Sequence, residues 1–181
     1  MNRPPAPKAQ PRILGLDASL TGTGWYDLAS GLSGKITPGK LMGVPRLCLL
    51  REKLVDVLES TSPQIIALEG YSYGSKGRGV FGIAEWGGVL RMALHDYGIP
   101  SVWIVPPHNL KKYVIGHAKQ GQSGKEVMIL KTFQRWGKEF SDHDICDAHG
   151  LAQAALCLET KVFGTKAAEE ALAKAELLPL S

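Results

Sequence analysis

The chain has 181 residues, 44% of them apolar, and a formal charge of +4, with a sequence pI near 9.0. That length and apolar share suit one globular domain that closes a core without metal or disulfide staples, and they argue against a disordered or membrane-embedded class. The mild basicity permits a polyanionic partner without requiring one.

Residues 1 to 11 are polar and Pro-rich and are expected to form a flexible arm. MNRPPAPKAQPR lacks the apolar core of a signal peptide, and no stretch approaches the length of an apolar span, so a soluble intracellular protein is expected. Cys48, Cys146 and Cys157 form neither a CxxC pair nor a regular framework, which fits reduced thiols. RILGLDAS reads as a short apolar strand. TGTGWYDLAS and GLSGKITPGKL follow with the Gly/Thr punctuation of hairpins, giving three consecutive antiparallel strands.

From Pro45 to Glu59, Leu47, Leu50, Leu54, Val57 and Leu58 recur at helical spacing. SPQIIALEG is a buried strand, FGIAEWGGVLRMALHDYG a second helix closed by Gly98, and PSVWIVPP the next strand. A short basic helix, a glycine-interrupted loop (HAKQGQSGKE), a helix around EVMILKTFQRW and a last helix from near Asp142 complete residues 12 to 160. The tail, residues 161 to 181, is expected to be helical or disordered. Strands first, then strands alternating with helices, predict an α/β domain with a mixed sheet flanked by helices.

Four acids sit where a core would not place them. A helix starting near Ser141 puts positions 144, 147, 148, 151, 155 and 158 on one face, headed by Asp144 and Asp147. Ser141 with Asp144 fits a capping box, which accounts for one acid. Asp147 is left over, because a second carboxylate on an inward face adds repulsion and a desolvation cost unless a cation is present. Asp17 ends an apolar strand on the face of Ile13 and Gly15; Glu69 ends another on the face of Ile65 and Ala67. Two strand-terminal acids and an inward aspartate pair are best explained by a shared divalent cation site, and hard oxygen ligands select Mg2+ or Mn2+. Two such ions about 3.5–4 Å apart activate water and stabilise a leaving oxygen in phosphodiester hydrolysis. A rival zinc site at His143, Cys146 and His149 would need a distant fourth ligand, because that spacing spreads the three around a helix.

The set resembles the RuvC family of Holliday junction resolvases. ILGLDAS, IIALEG with its aromatic-containing loop and helix, VPPHNLKKYVIG and DICDAHGLAQA match in order and together cover roughly residues 12 to 158. The resemblance implies an RNase H-like fold with a central mixed five-stranded sheet, and a homodimer that nicks a four-way DNA junction symmetrically in the cytoplasm, at the nucleoid. It makes Asp17, Glu69, Asp144 and Asp147 the catalytic, metal-binding acids, with two Mg2+ ions per site and Mn2+ as a substitute, and Asp142 a loop or cap residue. Lys111, Lys112 and Lys125 look like the family's phosphate-binding lysines, with Lys76 and Arg78 as further contacts. Tyr71 and Tyr73 flank Ser72, which stands where the family often carries a wedging aromatic, so one of these tyrosines is expected to stack at the junction. The helix over residues 80 to 97 is similar to the family's dimer-forming helix. The acids alone also fit a broader nuclease of forks and flaps. A non-catalytic DNA-binding member of the fold stays open as well, although the presence of all four acids argues against it.

Overall fold

The computed structural model describes residues 11–71, 79–116 and 124–181. Tyr73, Lys76 and Arg78 lie outside the described residues. β1 (Ile13–Asp17), β2 (Thr23–Asp27) and β3 (Ser33–Ile36) form an antiparallel meander. α1 (Gly43–Thr61) leads to β4 (Ile65–Glu69), and α2 (Gly79–Asp96) precedes β5 (Ser101–Val105). α3 (Pro107–Ile115), α4 (Lys125–Trp136), α5 (His143–Thr160), α6 (Lys166–Leu172) and β6 (Glu176–Pro179) follow. The strand order is β3-β2-β1-β4-β5-β6, with β1, β4 and β5 mutually parallel and the others antiparallel.

The sheet therefore has six strands among the described residues, one more than the resemblance implied. The extra strand comes from the tail, which carries α6 and β6. Asn109 Nδ2 donates to the Ala171 carbonyl at 2.6 Å, fixing α6 to α3. Leu178 and Leu180 pack into the core beside β5, so the apolar LLPL segment covers an edge that would otherwise stay open.

Strand alternation divides the core in two. Leu14, Leu16, Ile66 and Leu68 face α1 and α2, whereas Ile13, Ala67 and Val105 face α5, with α3, α4 and α6 around it. α5 lies unusually close to the sheet. A Cβ added to Gly15 would come within 2.8 Å of Ala152 N and nearer still to the Ala148 carbonyl. One added to Gly24 would come within 2.8 Å of Ile145 N and collide with the Asp144 carbonyl. These two glycines seat the first turns of α5 directly on β1 and β2. Among the described residues no helix is long and apolar enough to cross a membrane.

Candidate active site

Register brings the acids to one end of one sheet face. Asp17 pairs with Gly24, Gly24 with Lys35, and Glu69 with Val105. Leu16 pairs with Leu68, so Asp17 and Glu69 follow side by side on the parallel β1–β4 pair. Both carboxyls point to the side that α5 covers, and α5 brings Asp144 and Asp147 down over Gly24. Each of the four acids is thus carried by a different local device: a strand end, a neighbouring strand end, and two successive turns of one helix.

The electrostatics follow from that packing. Asp17 is only 8% exposed. Burial first, then the charges of Glu69, Asp147 and Asp144, push its pKa up to about 8. Burial and Asp147 push Glu69 up to about 7, against the opposing pull of Lys111. Asp147 rises to about 6, again through burial, with Lys111, His143 and Lys125 opposing. Among the charges acting on Asp17 that of Glu69 is the largest, as their side-by-side strand ends require. A cavity of about 570 Å3 opens beside this pair between α2 and β5–β6, walled by Leu68, Ile83, Leu90, Ile104 and Leu178.

Asp144 behaves differently. Its carboxylate meets Lys35 Nζ at 2.5 Å, and the same ammonium reaches Asp142 at 3.1 Å. Among the described residues no three acid, histidine or cysteine side chains are already gathered closely enough to hold a metal ion, and Asp144 is turned toward β3. Lys35, pushed above its ordinary pKa by these two carboxylates, was not singled out from the sequence.

The helix cap also differs from expectation. Asp142, not Ser141, is the N-cap of α5, and its Oδ1 accepts from Asp144 N at 2.8 Å and Ile145 N at 3.3 Å. Both residue types cap well, and the helix begins one residue later than a Ser141 cap requires. Asp142 thereby takes the cap position.

The remaining residues separate into groups. Lys111 and Lys125 lie near enough to the acids to act on them; Lys112 is on the same turn of α3 as Lys111. Tyr71 is 40% exposed, but its hydroxyl accepts from Arg91 Nη2 at 3.1 Å, the guanidinium lies over its ring, and the missing side chain of Gly87 makes room for it. That ring is held on α2. His143, Cys146 and His149 do not converge: Cys146 bonds to Thr132 Oγ1 at 3.3 Å, and His149 is buried among Tyr26, Trp136 and Phe140, where burial lowers its pKa to about 4.

The donor chemistry fits a divalent cation. Four hard carboxylates stand at one end of the sheet, and three of them, the buried Asp17 and the half-buried Glu69 and Asp147, have no ion pair among the described residues. An arrangement whose members raise one another's pKa values is destabilised by its own charge until a cation enters.

No family model matches the chain. A crossover junction endodeoxyribonuclease RuvC of a Bradyrhizobium species (strain BTAi1) is 31% identical over 138 residues, which span 68% of this chain and 78% of the relative. The protein of that name from Agrobacterium fabrum is 28% identical over 149 residues, spanning 78% and 86%. Among solved structures, Thermus thermophilus RuvC in complex with a Holliday junction substrate superposes with a TM-score of 0.66 at 15% identity, covering 83% of this chain and 96% of that one. That likeness establishes the fold.

Proposed function

The chain belongs to the RuvC family of crossover junction endodeoxyribonucleases, and on that footing we propose that it resolves four-way DNA junctions by metal-dependent hydrolysis of one phosphodiester in each of two strands. The observation that carries the reading is that the strand-end acids Asp17 and Glu69 and the overlying α5 acid Asp147 share one side of the sheet, shielded from water and mutually repelling, with the charge of Asp144 adding to theirs.

Asp17, Glu69, Asp147 and Asp144 would hold the cation or cation pair, Mg2+ being the best match to an all-carboxylate set. When bound, the metal supplies an acidified water and charge stabilisation at the leaving oxygen. The chain's own residues do the rest. The carboxylates of β1, β4 and α5 fix where the phosphate is attacked, and the rigid seating of α5 on Gly15 and Gly24 holds them there. Lys111 and Lys125 neutralise the phosphates on either side of the cleaved bond. Lys112, with Lys76 and Arg78, adds further phosphate contacts, and one of Tyr71 and Tyr73 stacks at the junction.

A homodimer accounts for paired cuts, since an isologous pair presents two identical sites to two equivalent strands. The exposed Phe81, Ile83 and Met92 of α2 support that helix as the dimer contact.

The test is a nicking assay on equimolar synthetic four-way junction, fork, flap and linear duplex, each in Mg2+ and in EDTA. Symmetric paired nicks confined to the junction, and lost in EDTA, are expected. Equal cutting of forks or flaps would make the protein a general branched-DNA nuclease, and metal-independent binding without cuts would make it a non-catalytic binder.

A further inference from the structure

Lys35 occupies a position that neither the core nor the acid cluster explains. It lies on β3, at one edge of the sheet, in register with Gly24, which is itself in register with Asp17. The three residues form one row on the face that α5 covers. Gly24 lies under the backbone of α5, and the lysine stem instead fills the space that a side chain on Gly22 would take, so its ammonium reaches the start of α5.

The two carboxylates it meets there are not equivalent. Asp142 is committed to capping α5, its other oxygen occupied by two backbone N–H groups. Among the described residues, the side chain of Asp144 has Lys35 as its sole ion-pair partner. Asp144 can therefore leave without unravelling the helix, whereas Asp142 cannot. The pair is also partly open to solvent, with 31% of the lysine side chain and 22% of the Asp144 side chain exposed. A phosphate arriving at this edge would meet the ammonium directly.

We propose that Lys35 is a positioning residue that holds Asp144 aside as a releasable ligand: without DNA it turns that carboxylate away from Asp17, Glu69 and Asp147, and a substrate phosphate that draws the ammonium off returns Asp144 to them. Lys35 carries one charge and cannot compensate a phosphate and Asp144 equally. Once the phosphate takes it, a cation beside Asp17 becomes the best remaining partner for Asp144. Full assembly of the donor set is thereby tied to the presence of DNA. This inference rests on the metal site of the proposed function.

The experiment is calorimetric titration of Mn2+ into the full chain without DNA, for the native protein and for Lys35→Met, Lys35→Arg and Asp17→Asn, followed by the same titration with a junction carrying uncleavable linkages. Lys35→Met removes the competitor and keeps the stem, so Mn2+ should bind roughly fivefold more tightly, the size expected when a partly exposed ion pair no longer has to be broken. Lys35→Arg should restore the native affinity. Added junction should tighten Mn2+ binding to the native protein more than to Lys35→Met. A merely structural defect would loosen the site and weaken binding, so tightening separates the two.

If Asp17→Asn abolishes binding while Lys35→Met binds as the native protein does, or more weakly, the role of Lys35 is refuted and the metal site stands. If Asp17→Asn binds Mn2+ as well as the native protein, the site itself is misassigned and this inference falls with it.

Discussion

Gly24→Ala puts the seating of α5 to a direct test. The added methyl would stand within 2.8 Å of Ile145 N and closer to the Asp144 carbonyl, against ordinary contact beginning near 3.4 Å. The start of α5 must therefore retreat by about 0.6 Å to clear Ile145 N and by roughly twice that to clear the Asp144 carbonyl, since both obstructing atoms are backbone and cannot rotate away. Two effects oppose each other. Replacing a strand glycine removes backbone freedom from the unfolded chain, a gain of about 0.5–1 kcal/mol. Overpacking a rigid contact costs about 1–3 kcal/mol, so the net effect is destabilising. For a chain of this length that corresponds to a fall in Tm of a few degrees, at roughly 2–4 °C per kcal/mol. Activity should suffer more than stability, because the displaced residue is Asp144 itself and misplacing a reactive group by about 1 Å costs on the order of 100-fold in rate. Differential scanning fluorimetry and single-turnover junction cleavage on the same preparation would measure both. A variant that melts and cuts like the native protein would refute the claim that close helix–sheet packing positions the acid.

Three further perturbations follow from the site's electrostatics and the sheet edge. Asp17, Glu69 and Asp147 have folded pKa values above their ordinary ones, to about 8, 7 and 6. Their protonated forms favour the folded state, so this contribution is full below about pH 4 and is lost as pH rises through the range 6 to 8. In EDTA the protein should melt lower at pH 8 than at pH 5, and the Tm gain on adding Mg2+ should widen over the same interval; equal gains at both pH values would contradict the buried-carboxylate account. Lys111→Met removes a charge that opposes the rise of Glu69 and Asp147, so the acid limb of kcat/KM should move to higher pH and junction binding should lose salt dependence. An unmoved limb would separate Lys111 from the acids. Deleting residues 174–181 removes β6 and uncovers the β5 edge. The loss of two half-buried leucines, about 2 kcal/mol, should lower Tm by several degrees and promote aggregation, visible as light scattering on heating.

What the sequence disclosed, and what it hid, divides along local and long-range determinants. Asp17 and Glu69 were legible because strand alternation is local: an acid two residues beyond Gly15 or Ala67 must share their face. Asp144 and Asp147 were legible for the same reason on a helix. Lys35 was invisible because its role depends on the β2–β3 register, the absent side chain of Gly22 and the height at which α5 crosses the sheet. None of those can be read within a window around GKITPGK. β6 was hidden by composition, since a short ELLP strand following an Ala/Glu/Lys run carries little alternation and contains a proline. The burial of His149 required Tyr26, Trp136 and Phe140, three residues brought from separate parts of the chain.

The claim that these carboxylates perform metal-dependent junction cleavage is tested most directly by Asp17→Asn. Binding to a labelled four-way junction and cleavage of it in Mg2+ should be measured side by side for this variant and the native protein. Retained or strengthened binding with cleavage abolished is the expected result, because the amide keeps the shape of the side chain, relieves repulsion toward phosphate and no longer offers a charged ligand. Cleavage by Asp17→Asn at the native rate in Mg2+ would place the chemistry elsewhere in the molecule.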